Sequence, residues 1–441
     1  MRIAVVGSGV SGCLVARLLA SEHDVTLFES ANYAGGHANT VPVEMDGKKA
    51  WADTGFMVFN ERTYPNFCRV LDLLGVESQA SDMSFSVRCD RTGLEFQGSS
   101  LNGVFAQRSN LLKPSFYKLL ADILRFSKAG TEEAVRYHTI AQESDSESVG
   151  QFLNRRGLGK RFIAQYLVPM AAAIWSSQPE AILDFPARFM IGFFHNHGLM
   201  QLKNRPIWRT IVGGSRIYLD RLLSPINQYI RLNCPVQRVY RNEFGVRLIS
   251  SEGEEQFDQV VFACHSDQAL KMLADPTDEE VSILSCLPYQ ANEAVLHTDV
   301  SRLPCRERAW ASWNYRIPQS ENEISGASVT YDLNRLQNLG FDRPLLLTLN
   351  DTDAIDPSQI LKSFIYHHPA YDRRSIDAQK QHHKISSIIA RTHFCGAYWG
   401  YGFHEDGVIS ALKVASHFGF ELDSCTVVST KAQSATVGLS L

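Results

Sequence analysis

The first thirty residues contain the feature that most restricts how this chain can fold. The apolar run RIAVV predicts a buried parallel strand, and the glycine-rich turn GSGVSG follows it at once. The pattern LVARLLASE predicts a helix, and DVTLFE predicts a second strand that ends in Glu29. Strand, G-x-G-x-x-G turn, helix and an acid after the next strand are together typical of a dinucleotide-binding βαβ unit.

Each residue of this pattern has a physical reason. Gly7 permits the tight turn, Gly9 lets the backbone approach a pyrophosphate, and Gly12 lets the helix lie close to the strand. The carboxylate of Glu29 can accept hydrogen bonds from ribose hydroxyls. Helix N-termini attract anions, so the unit predicts a cofactor with phosphate groups.

The residues after Glu29 favour FAD over NAD. A second glycine pair, Gly35 and Gly36, allows another close backbone approach. A simple NAD domain would continue into its next crossover helix. Here the sequence TVPVEMDGKKAWAD predicts a hairpin that turns at Asp46-Gly47.

At this point the sequence resembles the flavin-containing amine oxidase superfamily. Glu29 followed by the glycine pair and by D-x-G at residues 53–55 resembles its cofactor motif. The stretches GGHANTV, DTGFMVFNERTYPN, WRTIVGGSRIY and CGAYWGYGFHEDGVISAL are most similar to a bacterial-type subgroup of predicted NAD/FAD-binding oxidoreductases. Some of its members are associated with the modification of unsaturated or methylated fatty acyl chains. The resemblance covers residues 1 to about 420.

The resemblance implies an α/β fold, with a Rossmann-like FAD-binding domain and a mixed α+β substrate domain. The FAD domain is expected to be discontinuous, from residues 1–75, 201–275 and 391–420. Residues 76–200, which look mostly helical, and 276–390 would form the substrate domain. The small and polar composition of residues 421–441 predicts a flexible tail.

The cofactor-binding residues follow from the glycine motifs and from the resemblance. The position of Val236 implies a backbone contact with adenine, and Gly407 and Val408 would offer N–H groups to the flavin or its phosphate. The chain has Gly396-Ala397 where the family often has a glycine followed by a ribityl-binding acid. The complete set of cofactor-binding candidates is Gly7, Gly9, Val10, Ser11, Gly12, Glu29, Ser30, Gly35, Gly36, His37, Gly55, Phe56, Val236, Gly396, Ala397, Gly407 and Val408.

Two acids stand at the predicted start of the last helix, in GYGFHEDGVISAL. A phosphate site, a metal site or a helix cap could explain them. We interpret Asp406 as the N-cap. The histidine pairs 367–368 and 382–383 lack the spacing of a metal motif, so no metal is predicted.

Three residues are candidates for the active-site face of the flavin. His404 lies where the family often places an aromatic side chain, and Tyr398 precedes it. Amine oxidases often carry a lysine on a strand that here contains Asn292-Glu293. We take Glu293 as the third candidate, and His404 and Glu293 could move protons.

The leading functional hypothesis is an FAD-dependent oxidoreductase that transfers a hydride from a long-chain fatty acyl lipid. The subgroup resemblance and the absent lysine favour it. An amine or amino-acid oxidase is the alternative within the enzymes. A flavin-binding partner protein without turnover is the alternative outside them.

Composition limits which binding partners and which cellular compartment are expected. The formal net charge of −4 gives no reason to expect nucleic acid, and no oligomeric state is indicated. Nine scattered cysteines fit a reducing cytoplasm, and the chain begins MRIAVVG without a signal peptide. The predicted helix PSFYKLLADILRFSKAG is interpreted as packed on the core, with contact to the inner face of a membrane as the alternative.

Overall fold

A computed structural model of the protein describes residues 1–139, 147–201, 203–320 and 326–423, so the predicted tail lies outside the described residues from 424 onward. The strands are β1 (Arg2–Val6), β2 (Asp24–Phe28), β3 (Thr40–Met45), β4 (Lys48–Asp53), β5 (Phe59–Asn60), β6 (Ser78–Ala80), β7 (Phe85–Cys89), β8 (Leu94–Gln97), β9 (Trp208–Ile211), β10 (Ile230–Arg231), β11 (Val236–Asn242), β12 (Gly245–Ser250), β13 (Gly253–Phe257), β14 (Gln259–Phe262), β15 (Tyr289–His297), β16 (Trp313–Ile317), β17 (Ser328–Asp332), β18 (Leu346–Leu349), β19 (Ile360–Pro369) and β20 (Thr392–Phe394). The helices are α1 (Val10–Leu19), α2 (Pro65–Leu74), α3 (Leu101–Val104), α4 (Pro114–Thr139), α5 (Val149–Arg155), α6 (Lys160–Phe162), α7 (Val168–Trp175), α8 (Ala187–Asn196), α9 (Arg216–Leu223), α10 (Ser266–Met272), α11 (Asp278–Leu284), α12 (Leu333–Gln337), α13 (Arg373–Gln379), α14 (His382–Ile385) and α15 (His404–His417).

A five-stranded parallel sheet forms the first layer. Its strand order is β10-β2-β1-β14-β20, and every pair is parallel. The strands β1 and β14 are short runs of buried apolar residues, as expected for a sheet covered on both faces. On one of these faces α1 and α15 share a core with Tyr218 of α9.

A seven-stranded mixed sheet forms the second layer, in the order β19-β15-β18-β17-β16-β7-β8. Only β16 and β7 pair in parallel within it. The helices α4, α5, α7 and α8 share one apolar core with this sheet. The prediction of a mostly helical segment is wrong for residues 78–97, because β6, β7 and β8 lie there and the last two form the edge of this sheet.

The two sheets take their strands from different segments of the chain. The parallel sheet takes its strands from residues 1–75, 201–275 and 391–420, and the mixed sheet takes its strands from 76–200 and 276–390. A small sheet of β5, β9 and β6 joins the two parts. None of the helices in the described part of the chain is long and apolar enough to cross a membrane.

Candidate active site

One cavity of about 850 Å³ lies between the two sheets. The carboxyl ends of β1, β2, β14 and β20 border it on one side, and residues of β15 to β19 border it on the other. Ligands of open parallel sheets bind at the carboxyl ends of the strands. This cavity is therefore the candidate site.

The three glycines of the first turn have different surroundings. Gly7 has a φ of +102°, and a Cβ there would lie 2.9 Å from the backbone carbon of Ala263. A Cβ on Gly12 would lie 1.9 Å from the carbonyl oxygen of Gly7, so Gly12 serves the contact of helix and strand and does not line the cavity. A Cβ on Gly9 would meet no atom within 4 Å, because Gly9 faces the open cavity.

Glu29 borders the cavity with its carboxylate held in place. The backbone N–H and the hydroxyl of Ser8 donate to Oε2 at 2.9 and 2.6 Å, and the N–H of Ala31 donates to Oε1 at 2.8 Å. These charge-assisted hydrogen bonds fix the side chain before any ligand arrives. A fixed carboxylate after the second strand suits the ribose hydroxyls of a dinucleotide.

The second glycine pair lies against the first turn. The N–H of Gly35 donates to the carbonyl of Ser8 at 2.8 Å. A Cβ on Gly36 would lie 3.3 Å from the Cα of Gly9. Two backbone turns thus line the same part of the cavity, and a phosphate there would meet few side chains.

A group of histidines lies at this end of the cavity, and of its members only His37 was predicted from the sequence. His37, His265, His367 and His368 all line it, and their ring centroids lie 5.2 Å apart for His37 and His368 and 5.8 Å apart for His265 and His367. Burial lowers the pKa of His37 and of His265 to about 4 and that of His368 to about 3. These residues come from three distant segments, so no local spacing revealed the group.

The last flavin tract is partly as predicted. Gly396 and Ala397 line the cavity, and the N–H of Gly396 donates to Ser410 Oγ at 2.8 Å. The prediction for Gly407 and Val408 is wrong, because neither lines the cavity. The N–H of Gly407 donates to the carbonyl of Phe403 at 3.1 Å, and a Cβ on Gly407 would lie 2.7 Å from Val10, so this part of α15 serves contact with α1.

The two acids at the start of α15 are structural. Glu405 caps α2, since its carboxylate accepts from the N–H of Asn66 at 3.0 Å and from that of Phe67 at 2.9 Å. Asp406 is not the N-cap: it occupies the third position of α15 and accepts from the N–H of Phe403 at 2.9 Å. Burial raises the pKa of Asp406 to about 7. Among the described residues, no three or more His, Cys, Asp or Glu side chains are arranged so that they could hold a metal ion.

His404 lines the cavity and is held on two sides. Its ring stacks on Phe56 with centroids 3.7 Å apart, and its Nε2 lies 2.7 Å from the hydroxyl of Tyr218. Burial lowers its pKa to about 3, so the imidazole is neutral. Tyr398 also lines the cavity, yet its side chain is almost wholly buried, and burial raises its pKa well above the usual value.

Glu293 does not reach the site, which corrects the sequence prediction. Its side chain is exposed, and Oε2 accepts from Thr352 at 2.6 Å. Successive side chains of a strand point to opposite faces, so the neighbour Asn292 of β15 points inward instead. Asn292 is buried, and its Nδ2 lies 2.9 Å from Nδ1 of His368.

The far end of the cavity has a different chemistry. The charged side chains that line the cavity, among the described residues, are Glu29 and Lys271, and both belong to the half built on the parallel sheet. Apolar and aromatic side chains line the other half: Met57, Met83, Ile174, Trp175, Phe193, Leu199, Trp313, Tyr331, Leu336, Leu347 and Leu349.

One basic group stands in this apolar half and was missed from the sequence. His197 stacks on Phe193 with centroids 3.8 Å apart, and its Nδ1 lies 3.0 Å from the Phe193 carbonyl oxygen. A carbonyl only accepts, so Nδ1 carries the proton and Nε2 keeps its lone pair. Burial lowers the pKa of His197 to about 4, which keeps the ring neutral.

The residues present fit FAD. Gly9 leaves open space beside the first helix turn, Glu29 offers a fixed carboxylate, and Val236 borders the cavity where the adenine would bind. All but four of the predicted site residues line this one cavity. The exceptions are Gly12, Glu293, Gly407 and Val408.

Comparison with known proteins agrees with this geometry. A model of the flavin containing amine oxidoreductase family matches residues 10–301. The chain therefore belongs to this family, its cofactor is FAD, and it is an FAD-dependent oxidoreductase. This confirms the predicted fold class, cofactor and enzyme class. No curated protein sequence matched the chain.

Solved structures of several activities share the fold. Wild-type putrescine oxidase bound to putrescine is 14% identical, with a TM-score of 0.68 over 95% of this chain and 99% of the other. A fatty acid isomerase from P. acnes, described as producing CLA, is 12% identical, with a TM-score of 0.65 over 95% and 98%. Cyclohexylamine oxidase from Brevibacterium oxydans IH-35A is 15% identical, with a TM-score of 0.62 over 98% and 99%.

Proposed function

We propose that the protein dehydrogenates a long-chain fatty acyl lipid and so introduces a double bond. The observation that carries this proposal is the apolar half of the cavity, which has aromatic and aliphatic walls and no carboxylate among its described lining residues. Transfer of a hydrocarbon chain from water into such a space is favourable by roughly 0.8 kcal/mol per buried CH₂.

Desaturation removes a hydride and a proton from adjacent carbons of the chain. Bound FAD supplies the two-electron acceptor. In this chain His197 is suited to take the proton, because it stands at the apolar end and its Nε2 has a free lone pair. The apolar walls bind the chain and exclude water from the reacting carbons.

Oxidation of an amine is the second candidate. Putrescine oxidase and cyclohexylamine oxidase share the fold, at identities too low to transfer a substrate. A cationic amine would be best held by a carboxylate or by acceptors aimed at it. The fatty acid isomerase shares the fold as well, so the fold is compatible with chemistry on fatty acids.

Anaerobic reduction of the bound flavin distinguishes these candidates. The purified holoenzyme is mixed with a panel of unsaturated and methylated fatty acyl lipids and, separately, with a panel of amines. Loss of flavin absorbance with lipids alone, accompanied by new double bonds, supports the proposal. Reduction by amines alone refutes it.

The same assay tests His197. A His197→Asn variant should keep its FAD and its lipid affinity but reduce the flavin more slowly, by about a hundredfold or more. His383→Asn is the matched control, since His383 is exposed and does not line the cavity. An unchanged rate in His197→Asn removes this residue from the proton transfer.

A further inference from the structure

Five large apolar side chains are exposed within one short stretch of the substrate half. They belong to α3, to the turn that follows it and to the first turns of α4. Their exposed fractions are 80% for Leu101, 46% for Leu111, 87% for Leu112, 47% for Tyr117 and 52% for Leu124. Single exposed apolar residues are ordinary, but a group of them marks an interaction surface.

Side-chain hydrogen bonds tie together the segments that carry these residues. The hydroxyl of Tyr117 donates to the carbonyl of Leu111 at 3.0 Å, and the guanidinium of Arg108 donates to the Asn102 side chain and, at 2.8 Å, to the Phe105 carbonyl. On the opposite face of α4, Phe116 and Leu119 are buried in the core. The core therefore anchors one face of α4, and the exposed apolar groups lie outside it. We call Leu101, Leu111, Leu112, Tyr117 and Leu124 the leucine surface.

The stretch of chain that carries the leucine surface is rich in exposed basic residues. Between residues 96 and 131 the basic residues are Arg108, Lys113, Lys118, Arg125 and Lys128, all exposed. Asp122 is the single acid in this stretch; it is buried and bonded to Arg125 at 2.7 Å.

A neighbouring segment extends this charge. Arg161 donates to Ser115 Oγ at 2.7 Å, and Lys160 precedes it in α6 with its side chain exposed. Basic residues from two parts of the chain therefore lie near the start of α4.

We infer that the leucine surface binds the face of an anionic lipid bilayer. Exposed leucines and a tyrosine amid lysines and arginines match an apolar layer beneath negatively charged headgroups. The leucines would enter the boundary between headgroups and acyl chains, and the basic groups would contact phosphates. This inference stands on the surface alone and does not depend on the substrate proposed above.

Vesicle co-sedimentation of the FAD-loaded protein tests the inference. We expect binding to vesicles of phosphatidylcholine mixed with phosphatidylglycerol, weaker binding at high salt, and little binding to phosphatidylcholine alone. The variant Leu112→Glu should bind the mixed vesicles about tenfold or more weakly. Lys113→Glu should weaken binding and reduce its dependence on salt.

The control is Ile389→Glu, which places a carboxylate at a side chain that is 96% exposed in a distant loop. It should bind vesicles as the unaltered protein does, and all variants should retain FAD, which shows that they fold. Equal binding by Leu112→Glu and the unaltered protein would overturn the inference. So would no binding at all, or a dimer in solution that Leu112→Glu converts to a monomer.

Discussion

The two ends of the cavity are built in opposite ways. At the glycine end, backbone turns and one fixed carboxylate form the walls, and Gly9 and Gly36 leave room by having no side chain. At the apolar end, large side chains from α7, α8 and the seven-stranded sheet form the walls. The glycine end binds its cofactor mainly through main-chain groups, which are the same whatever the side chains are. At the apolar end, substitution of any wall side chain can change which ligand binds.

The largest expected effect is a difference in stability between variants of two glycines of the same turn, Gly12 and Gly9. Gly12→Ala would place a Cβ 1.9 Å from the Gly7 carbonyl oxygen, so α1 cannot keep its contact with β1. We expect this variant to lose FAD and to be strongly destabilised in thermal unfolding. In Gly9→Ala the Cβ enters the open cavity, so the cofactor-free protein should melt as before while its affinity for FAD falls at least about tenfold. Equal melting of both cofactor-free variants would contradict these roles.

A charge introduced at the apolar end should weaken substrate binding without changing FAD binding at the glycine end. Met83→Asp puts a carboxylate among apolar walls, where it is poorly solvated and repels an acyl chain. We expect FAD content to be unchanged and fatty acid affinity to fall about tenfold or more. Met83→Leu keeps the apolar volume and is the control. Loss of FAD from Met83→Asp would show that the two ends are not independent.

A variant of Glu405 in α15 tests whether this acid stabilises the fold or takes part in the chemistry. Glu405→Gln leaves at least one buried N–H of α2 without its charged acceptor, which should lower the free energy of unfolding by about 1–3 kcal/mol. Denaturant unfolding of the holoenzyme measures this. Flavin reduction per bound FAD should not change. A slower reduction at unaltered stability would place Glu405 in the chemistry instead.

A smaller effect should appear as pH dependence at the glycine end. His37, His265 and His368 have pKa values held near 3 to 4 by burial first and by neighbouring histidines second. A bound pyrophosphate would raise these pKa values, so binding takes up protons and affinity rises as pH falls toward the raised values. FAD should bind severalfold more tightly at about pH 6 than at about pH 8. Riboflavin, which has no phosphate, is the control, and an equal pH dependence for both ligands would contradict this.

The contrast between the two ends also explains what the sequence could predict. The GSGVSG turn, Glu29 and the second glycine pair are local patterns, because a tight turn needs glycine at fixed spacing. The site of Glu293 was mispredicted because a shift of one residue along a strand exchanges its two faces. Asn292, His265 and His368 at the glycine end, and His197 at the apolar end, reach the cavity only through tertiary packing, so local spacing gave no signal for them.

Helix ends were the second source of error. The residue type suggested Asp406 as an N-cap, and the family resemblance implied free N–H groups at Gly407 and Val408. In the structure α15 begins earlier, at His404, so the N–H of Gly407 is already bonded within the helix. The acids then serve two different helices, which the sequence alone does not distinguish.

Chain-length dependence of ligand binding tests the central claim most directly. Dissociation constants of straight-chain fatty acids and of amines of matched length are measured from the perturbation of the oxidised flavin spectrum. If the apolar end holds an acyl chain, affinity for the acids should rise about fourfold for each CH₂ until the cavity is filled, and the matched amines should bind more weakly. Affinity that is independent of length, or that is higher for the amines, would contradict the account.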